Sequence, residues 1–277
     1  MSFKNKTAVI FGAASGIGQA LAKKAAQCQM NVAIADYNWE SLQQTHEMLK
    51  QIYPKIISQH VDVCELNQIK SFHQLIKEKF GEVHYLFNNA GISGPVGPIW
   101  QIDPKKWQET LNVNLQGIIH CLSLFVPSMQ NQADPSHIIN TCAISGFVSY
   151  RHFSAYQITK HALIALSEGL LHDLNDLGAN IKVSVLCPGW VKTHILNAAI
   201  KANLTEEQVF STNEIQSIRK IAKNIKNGDC PYQIADFTFS ALKEGKFYLF
   251  PQPQFKQAIA ERFNAILAEK MPIEFEL

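Results

Sequence analysis

Short apolar runs alternate with amphipathic segments along most of the chain. The apolar runs predict buried strands at residues 7–11, 31–35, 55–61, 84–87, 137–141 and 181–186. The segments between them predict helices at residues 19–27, 39–52, 67–80, 107–129 and 154–176. Strands that alternate with helices are typical of right-handed βαβ units. We therefore expect an α/β fold, with a doubly wound parallel sheet that carries helices on both faces.

Composition and charge exclude several classes of protein. Lys and Arg total 25 against 23 Asp and Glu, and no basic block suggests a nucleic-acid partner. No apolar stretch is long enough for a membrane span or a signal peptide. The six cysteines are scattered without a Cys-x-x-Cys pair, as expected for free thiols in a reducing cytosol. We expect a single cytoplasmic domain over residues 1–277, with no metal site and no membrane or nucleic-acid partner.

A glycine-rich turn joins the first predicted strand to the first predicted helix. It has the form Gly12-x-x-x-Gly16-x-Gly18, with Ser15 and Ile17 between the glycines. Glycines let the backbone approach a pyrophosphate closely, and the helix N-terminus offers it free N–H groups. The turn therefore predicts a dinucleotide site in a sheet of the Rossmann type.

Residues after later strands extend this predicted site. Asp36 ends the second apolar run, where a carboxylate can accept hydrogen bonds from the ribose hydroxyls and would repel a 2′-phosphate. No Lys or Arg stands at positions 13–17 or 37–38, so NAD is favoured over NADP. The residues expected at the adenine and at the second ribose are Asp62, Val63, Asn89, Ala90 and Gly91.

Tyr156 and Lys160 are a candidate proton-transfer pair. They are four residues apart on a predicted helix, so their side chains leave the same face. An unperturbed phenol titrates at about pH 10, too high for proton transfer at neutrality. A neighbouring ammonium favours the phenolate and is expected to lower the pKa of Tyr156, as a general acid/base requires.

These features occur in an order that resembles a known family. The motifs are Gly12-x-x-x-Gly16-x-Gly18, Asn88-Asn89-Ala90-Gly91, Asn114, Tyr156-x-x-x-Lys160 and Pro188-Gly189-x-Val191-x-Thr193. Together they resemble the short-chain dehydrogenase/reductase family in its single-domain, NAD(P)-binding form. The resemblance implies a cofactor-binding and catalytic core at 1–192, a substrate-covering segment at 193–230 and a C-terminal segment at 231–277.

The resemblance also implies a role for each matching residue. Tyr156 is expected to give or take the proton of the substrate oxygen, while Lys160 lowers its pKa and binds the nicotinamide ribose. Asn114 is expected to hold a water that links Lys160 to solvent. Further cofactor contacts are expected from Pro188, Gly189, Val191 and Thr193. The family also implies a homodimer or homotetramer built on helices 107–129 and 154–176, although their apolar residues are equally compatible with a monomer.

One position departs from the family pattern. The family's serine, which hydrogen-bonds the substrate oxygen, falls thirteen residues before the tyrosine, and here that residue is Ala143. Loss of one preorganised donor to a developing oxyanion costs about 10²–10³ in rate in other enzymes. Two nearby residues offer a replacement donor: Ser145 and, more weakly, Cys142.

The expected substrate site is mostly apolar. A helix-like pattern at 204–218, within 193–230, is expected to cover it. Arg151 and His152 are the titratable residues near it. Its apolar and aromatic candidates are Phe147, Val148, Tyr150, Phe153, Trp190 and Ile195. This wall favours a small to medium apolar alcohol or ketone.

Three functional hypotheses follow from these residues. The first is an NAD-dependent oxidoreductase that transfers a hydride between NAD(H) and an alcohol or ketone through a Tyr-Lys-Asn proton relay. The second is a catalytically impaired NAD-binding or sensing protein, because position 143 lacks the serine. Isomerase or dehydratase chemistry stays open because a fold does not fix a reaction. We favour the first, since Tyr156, Lys160 and Asn114 occur together.

Overall fold

The computed structural model describes residues 2–196 and 211–275. Its seven strands form one parallel sheet in the order β3-β2-β1-β4-β5-β6-β7. The strands are β1 Thr7–Phe11, β2 Asn31–Asp36, β3 Ile56–His60, β4 Tyr85–Asn88, β5 Ser136–Thr141, β6 Ile181–Leu186 and β7 Tyr248–Leu249. The predicted fold class and its first six strands are confirmed. Strand β7 is an addition that has only two residues, too few for a hydrophobic pattern to reveal.

Nine helices flank the sheet within the described ranges. They are α1 Gly16–Gln27, α2 Trp39–Lys50, α3 Leu66–Phe80, α4 Pro104–Leu111, α5 Gly117–Gln130, α6 Ser154–Asp176, α7 Thr212–Asn227, α8 Pro231–Glu244 and α9 Lys256–Leu267. The helix-like pattern expected at 204–218 lies partly outside the described residues, and α7 begins at Thr212. None of the helices in the described part of the chain combines the length and apolar character needed to cross a bilayer.

Both faces of the sheet are buried. Neighbouring residues of a strand point to opposite faces, so Ile10 packs toward α1 and α8 while Phe11 packs against Phe72 of α3 and Phe125 of α5. Each face has its own hydrophobic cluster. Burial on two faces explains why these strands are continuous apolar runs in the sequence rather than alternating ones.

The predicted helix 107–129 is interrupted in the structure. A π-helical turn, Asn112–Gln116, separates α4 from α5, and the N–H of Gly117 bonds to the carbonyl of Asn112, five residues earlier. At this turn the side chain of Asn114 makes hydrogen bonds to the backbone of Ile92, beyond β4. Single π-turns of this kind are frequent at functional sites. Residues 107–129 are nevertheless helical throughout, as predicted, and the π-turn is a detail that the sequence pattern does not reveal.

Candidate active site

A cavity of about 660 Å³ opens at the carboxyl ends of the strands, beside the β1–β4 junction where strand order reverses. Of the predicted site residues, Gly18 and Asn114 do not line it, and they lie behind its wall. The predicted residues that line the cavity are Gly12, Ser15, Gly16, Ile17, Asp36, Asp62, Val63, Asn89, Ala90, Gly91, Ser145, Tyr156, Lys160, Pro188, Gly189, Val191 and Thr193. The structure thus brings the two predicted groups, one for a dinucleotide and one for proton transfer, into one space.

The glycine turn packs so tightly that side chains are excluded from it. Gly12 has a φ of 73°, and a Cβ atom there would lie 2.7 Å from the backbone of Ala90. A Cβ atom on Gly18 would lie 2.0 Å from the carbonyl oxygen of Gly12. Ser15 caps α1 without a side-chain hydrogen bond to the first turn, which leaves those N–H groups for a ligand. This close backbone at a helix N-terminus fits a pyrophosphate.

Asp36 is fixed at the end of β2 by two backbone hydrogen bonds. Its carboxylate oxygens accept from the N–H groups of Ala14 and Asn38, each at 2.9 Å. Each oxygen keeps lone-pair capacity for a further donor, which fits a ribose diol. Among the described residues, Lys160 is the only Lys or Arg that lines the cavity. The Asp36 end therefore has no lysine or arginine to receive a phosphate on the 2′-hydroxyl.

Asp62 closes the other side of this end of the cavity. Its Oδ1 accepts from the N–H of Cys64 at 2.8 Å, and its own N–H donates to Gln68 at 2.8 Å. The neighbouring Val63 packs closely against Gly117. A Cβ atom on Gly117 would lie 2.6 Å from the Val63 side chain. The segment that follows β3 is thus held rigidly against the start of α5.

Lys160 is buried at the centre of the cavity floor. It is 4% exposed, and its Nζ donates to the carbonyl of Thr141 at 2.9 Å. The same Nζ lies 5.5 Å from the centroid of the Tyr156 ring. Burial lowers the pKa of the Lys160 ammonium. Since an ammonium has three donors, Lys160 retains capacity for a ligand hydroxyl beside Tyr156.

The pKa of Tyr156 moves in the direction opposite to the predicted one. Burial of the phenol raises its pKa, and the neighbouring Tyr150 and Cys142 raise it further. The expected lowering is therefore wrong for the structure described, because desolvation disfavours the charged phenolate. Tyr156 is a neutral phenol at neutral pH.

Asn114 acts on the site from behind. Its Oδ1 accepts from the N–H of Ile92 at 2.8 Å, and its Nδ2 donates to the Ile92 carbonyl at 2.9 Å and to Thr159 at 3.1 Å. The side chain thus ties the segment after β4 to the residue next to Lys160. Asn114 thus holds these two segments together, and the water that it was expected to bind stays a prediction.

The region around Ala143 contains a pair of hydroxyl groups. Ala143 presents only a methyl group to the cavity, but Ser145 Oγ lies 3.0 Å from the hydroxyl of Tyr150, and both residues line the same cavity. Burial raises the pKa of Tyr150 to about 12, although Ser145 opposes the shift, so this hydroxyl stays protonated. The sulfur of Cys142 donates to the carbonyl of Lys160 at 3.1 Å and is engaged there.

The sequence identified Tyr150 only as an apolar wall residue. In the structure, Gln157 holds its backbone from both sides, accepting from the Tyr150 N–H at 3.1 Å and donating to its carbonyl at 2.6 Å. Because Gln157 directly follows Tyr156, this clamp fixes Tyr150 relative to the candidate acid. A polar Gln157 inside the Tyr-x-x-x-Lys motif is the sequence signal for it.

The outer part of the cavity is mostly apolar. Tyr150, Phe153, Trp190 and Ile195 line it as expected. Phe147 and Val148 do not line the cavity, and Phe147 packs against Phe250, with ring centroids 5.6 Å apart. Arg151 and His152 also lie outside it, paired with Glu274 and Ser217. Apolar lining residues that the sequence did not reveal include Leu196, Ile221, Ile225 and Phe275, and polar ones include Ser93, Glu109 and His194.

A polar cluster at the opposite end of the strands is a salt-bridge network. The ligating atoms of Glu82, His84 and Asp134 lie within 4.8 Å of one another. Both ring nitrogens of His84 are engaged, one with the N–H of Thr7 and the other with Asp134, which also pairs with Lys6. These partners give the cluster a structural explanation.

Known proteins match the chain over most of its length. The family model described as short chain dehydrogenase matches residues 6–204. A "CLA biosynthesis dehydrogenase/reductase" of Lactiplantibacillus plantarum is 28% identical, covering 98% of this chain and 96% of the relative. A "1-deoxy-11-beta-hydroxypentalenate dehydrogenase" of Streptomyces arenae is 32% identical, covering 96% of this chain and 89% of the relative.

A solved structure matches the whole fold. A short chain dehydrogenase/reductase from Burkholderia phymatum, crystallised in complex with NAD, superposes with a TM-score of 0.94 at 31% identity. The match covers 100% of this chain and 99% of that one. The likeness thus includes the segments beyond residue 204 that the family model does not reach.

Proposed function

Since the chain belongs to the short-chain dehydrogenase/reductase family and is an oxidoreductase, we propose that it transfers a hydride between NAD(H) and an apolar alcohol or ketone. The observation that carries the proposal is the shared cavity, which Tyr156, Lys160, the Gly12–Gly18 turn and Asp36 form together. NAD bound in the Burkholderia phymatum relative supports a nicotinamide cofactor here.

A nicotinamide cofactor held in this cavity would supply the hydride chemistry, and the chain's own residues would transfer the proton. Tyr156 holds a proton at neutral pH because burial raises its pKa, so it can donate that proton to a carbonyl oxygen during reduction. Lys160, anchored on Thr141, has donors left for the nicotinamide ribose. Asn114 keeps the backbone at Ile92 and Thr159 in place around this pair.

The preference for NAD over NADP is part of the proposal. The Asp36 carboxylate is held in place by Ala14 and Asn38, and no lysine or arginine in the described cavity wall stands near it. A 2′-phosphate would meet a like charge there without a compensating cation, which costs binding free energy. The ribose hydroxyls of NAD would instead donate hydrogen bonds to the Asp36 carboxylate.

We assign the role of the missing serine to Ser145, supported by Tyr150. Ser145 shares a hydrogen bond with Tyr150. It lies on the Ile144–Gly146 turn, two residues after Ala143. With its partner hydroxyl donating to it, Ser145 can direct its own proton toward a substrate oxygen. Preorganised donors of this kind stabilise developing negative charge.

The apolar wall and the relatives support the substrate class. Tyr150, Phe153, Trp190, Ile195 and Leu196 surround the outer cavity, where an uncharged substrate of moderate size would bury apolar surface. The relatives in Lactiplantibacillus plantarum and Streptomyces arenae are named as dehydrogenases or reductases. Dehydrogenase chemistry is therefore favoured over isomerase or dehydratase chemistry.

A second candidate function rests on Ala143. If Ser145 cannot reach the substrate oxygen, the cavity would bind NAD(H) without efficient turnover, and the protein would act as a cofactor-binding or sensing module. Ala143 supports this alternative because it lines the cavity without a donor.

Turnover and cofactor binding, measured on the same variants, separate the two candidates. Wild type, Tyr156→Phe and the exposed control Tyr232→Phe are assayed with NAD and NADH against a panel of alcohols and ketones. We expect Tyr156→Phe to lose about 10²–10⁴ in kcat while NADH binding persists, and Tyr232→Phe to match wild type. NADH binding without turnover on the whole panel would favour the second candidate, and unchanged turnover in Tyr156→Phe would overturn the first.

We also propose that the protein assembles as a homodimer or homotetramer. The helices expected to form the contact, α5 and α6, expose Ile119 (37%) and Ile158 (45%). Light scattering of wild type and of Ile158→Glu tests this, since a charge in an apolar interface should lower the assembly state. A monomeric wild type would overturn it.

A further inference from the structure

The C-terminal tail, defined here as residues 271–275, reaches the substrate end of the cavity. Helix α9 ends at Leu267, and the tail that follows has no regular secondary structure. Phe275 lines the cavity together with Tyr150 and Ile221, which come from two other parts of the chain. Phe275 packs against the apolar cluster that includes Phe153 and Leu196.

Three contacts fix the tail to the segment that carries Tyr150. The N–H of Phe275 donates to the carbonyl of Ser149 at 2.8 Å. The Phe275 and Tyr150 rings lie 6.4 Å apart between centroids. Both carboxylate oxygens of Glu274 pair with the Arg151 guanidinium, with Nε to Oε1 at 2.6 Å. Residues 149, 150 and 151 are therefore each held by the tail.

Glu274, which forms the ion pair with Arg151, directly precedes Phe275 in the chain, so the ion pair lies next to the ring. Arg151 and Glu274 are mostly solvent-exposed, with side chains 61% and 43% accessible, so salt screens their attraction. Their bidentate geometry nevertheless sets the register of the tail. Phe275 follows directly and turns inward, where it also packs against Phe255 at 6.2 Å between ring centroids.

We propose that the C-terminal tail forms the outer wall of the substrate cavity, with Phe275 as the residue that limits substrate size and the Arg151–Glu274 pair as its anchor. The proposal rests on the proposed function for the identity of the substrate. An aromatic ring at the mouth of an apolar cavity favours short apolar substrates, which it covers, and excludes long ones, with which it would collide.

The test is a series of methyl ketones of increasing chain length, assayed with NADH. We expect Phe275→Ala to raise the ratio of kcat/KM for long over short ketones by about tenfold or more, the discrimination that a single pocket contact supplies. Glu274→Gln should shift the ratio in the same direction by less. The matched controls are Phe263→Ala, an exposed aromatic on α9, and Glu244→Gln, whose ion pair with Lys246 lies away from the cavity. Both controls should keep the wild-type ratio.

Binding measurements keep this test separate from the proposed function. Calorimetric titration of the same ketones into NADH complexes, in a Tyr156→Phe background, reports cavity size without turnover. If wild type reduces no ketone but Phe275→Ala still shifts binding toward long ketones, the proposed function fails and the tail assignment stands. Phe275→Leu replaces the alanine variant if that one does not fold. Unchanged selectivity in the folded variant, by both kcat/KM and binding, would overturn the tail assignment.

Discussion

The hydroxyl of Ser145 lies 3.0 Å from the hydroxyl of Tyr150, two residues beyond the alanine that stands where the family has its serine. Both groups line the cavity of Tyr156, and Tyr150 is close enough to raise the pKa of Tyr156. Gln157 holds the backbone of Tyr150 in this place. The hydroxyl pair thus offers the chain a donor where Ala143 has none.

Removal of either hydroxyl should slow turnover. We expect Ser145→Ala to lower kcat by about 10²-fold, because one donor to the developing oxyanion is lost. Tyr150→Phe should lower kcat by less, since it only orients Ser145. The double variant should be little slower than Ser145→Ala, because residues that act as a unit are not additive. Steady-state kinetics with NADH and the best ketone measure all three.

A rescue variant and a control sharpen this prediction. Ala143→Ser should restore much of the rate lost in Ser145→Ala while changing wild type little. Ser149→Ala, on the same loop but outside the cavity, should be neutral. The role assigned to Ser145 is wrong if Ser145→Ala keeps full activity, or if Ala143→Ser accelerates wild type about a hundredfold.

The two reaction directions should depend differently on pH. Burial raises the pKa of Tyr156, so the phenol that donates during ketone reduction is fully formed at neutral pH. Alcohol oxidation needs the phenolate, whose fraction rises about tenfold per pH unit below the pKa. We expect kcat/KM for oxidation to climb from neutral to alkaline pH while that for reduction stays level. A level profile for oxidation would contradict this role of Tyr156.

Asp36 should decide the choice of cofactor. Asp36→Ala removes acceptors for the ribose diol and the negative charge that opposes a 2′-phosphate. We expect the Kd for NADH to rise about 10–100-fold, corresponding to about 1.5–3 kcal/mol for a hydrogen bond to a charged group, while NADPH binds more tightly than before. Fluorescence titration with both cofactors measures this, with Asp236→Asn on α8 as a surface control. An unchanged NADH to NADPH affinity ratio would refute it.

His137 should make folding stability depend on pH. It is 2% exposed, and burial, with a smaller effect of Lys182, lowers its pKa to about 3. Below about pH 6.5 His137 binds a proton in the unfolded chain but not in the native state. The free energy of unfolding therefore falls as pH falls toward the native pKa of His137. The loss is about 1.4 kcal/mol per pH unit, or about 2 kcal/mol at about pH 5.

Urea unfolding at several pH values measures this effect. His137→Gln should reduce the slope of the free energy of unfolding against pH, between about pH 6.5 and about pH 5, by the contribution of one proton. The variant His172→Gln, exposed on α6, is the control. Burial also lowers the pKa of His46, His73 and His161, so the variant should retain part of the slope. Equal slopes in wild type and His137→Gln would contradict the assignment.

The sequence by itself determined the first six strands, the glycine turn and the Tyr-x-x-x-Lys helix. These features are local: burial on both faces of a sheet leaves apolar runs, and helical spacing places Tyr156 and Lys160 on one face. The acid Asp36 was visible for the same reason, because parallel strands end at one edge of the sheet. The family resemblance rested on these same local motifs.

Only the tertiary structure decided the contacts between distant or irregular segments. Asn114 lies on a π-turn of its helix and makes hydrogen bonds to the backbone of Ile92, on another segment. The pKa of Tyr156 rises rather than falls because burial, which no spacing reveals, disfavours the charged phenolate. Phe275 reaches the cavity through contacts with a distant segment, including a backbone hydrogen bond to Ser149 and the ring of Tyr150. Such contacts depend on how whole elements pack, so a pattern read along the chain carries no signal for them.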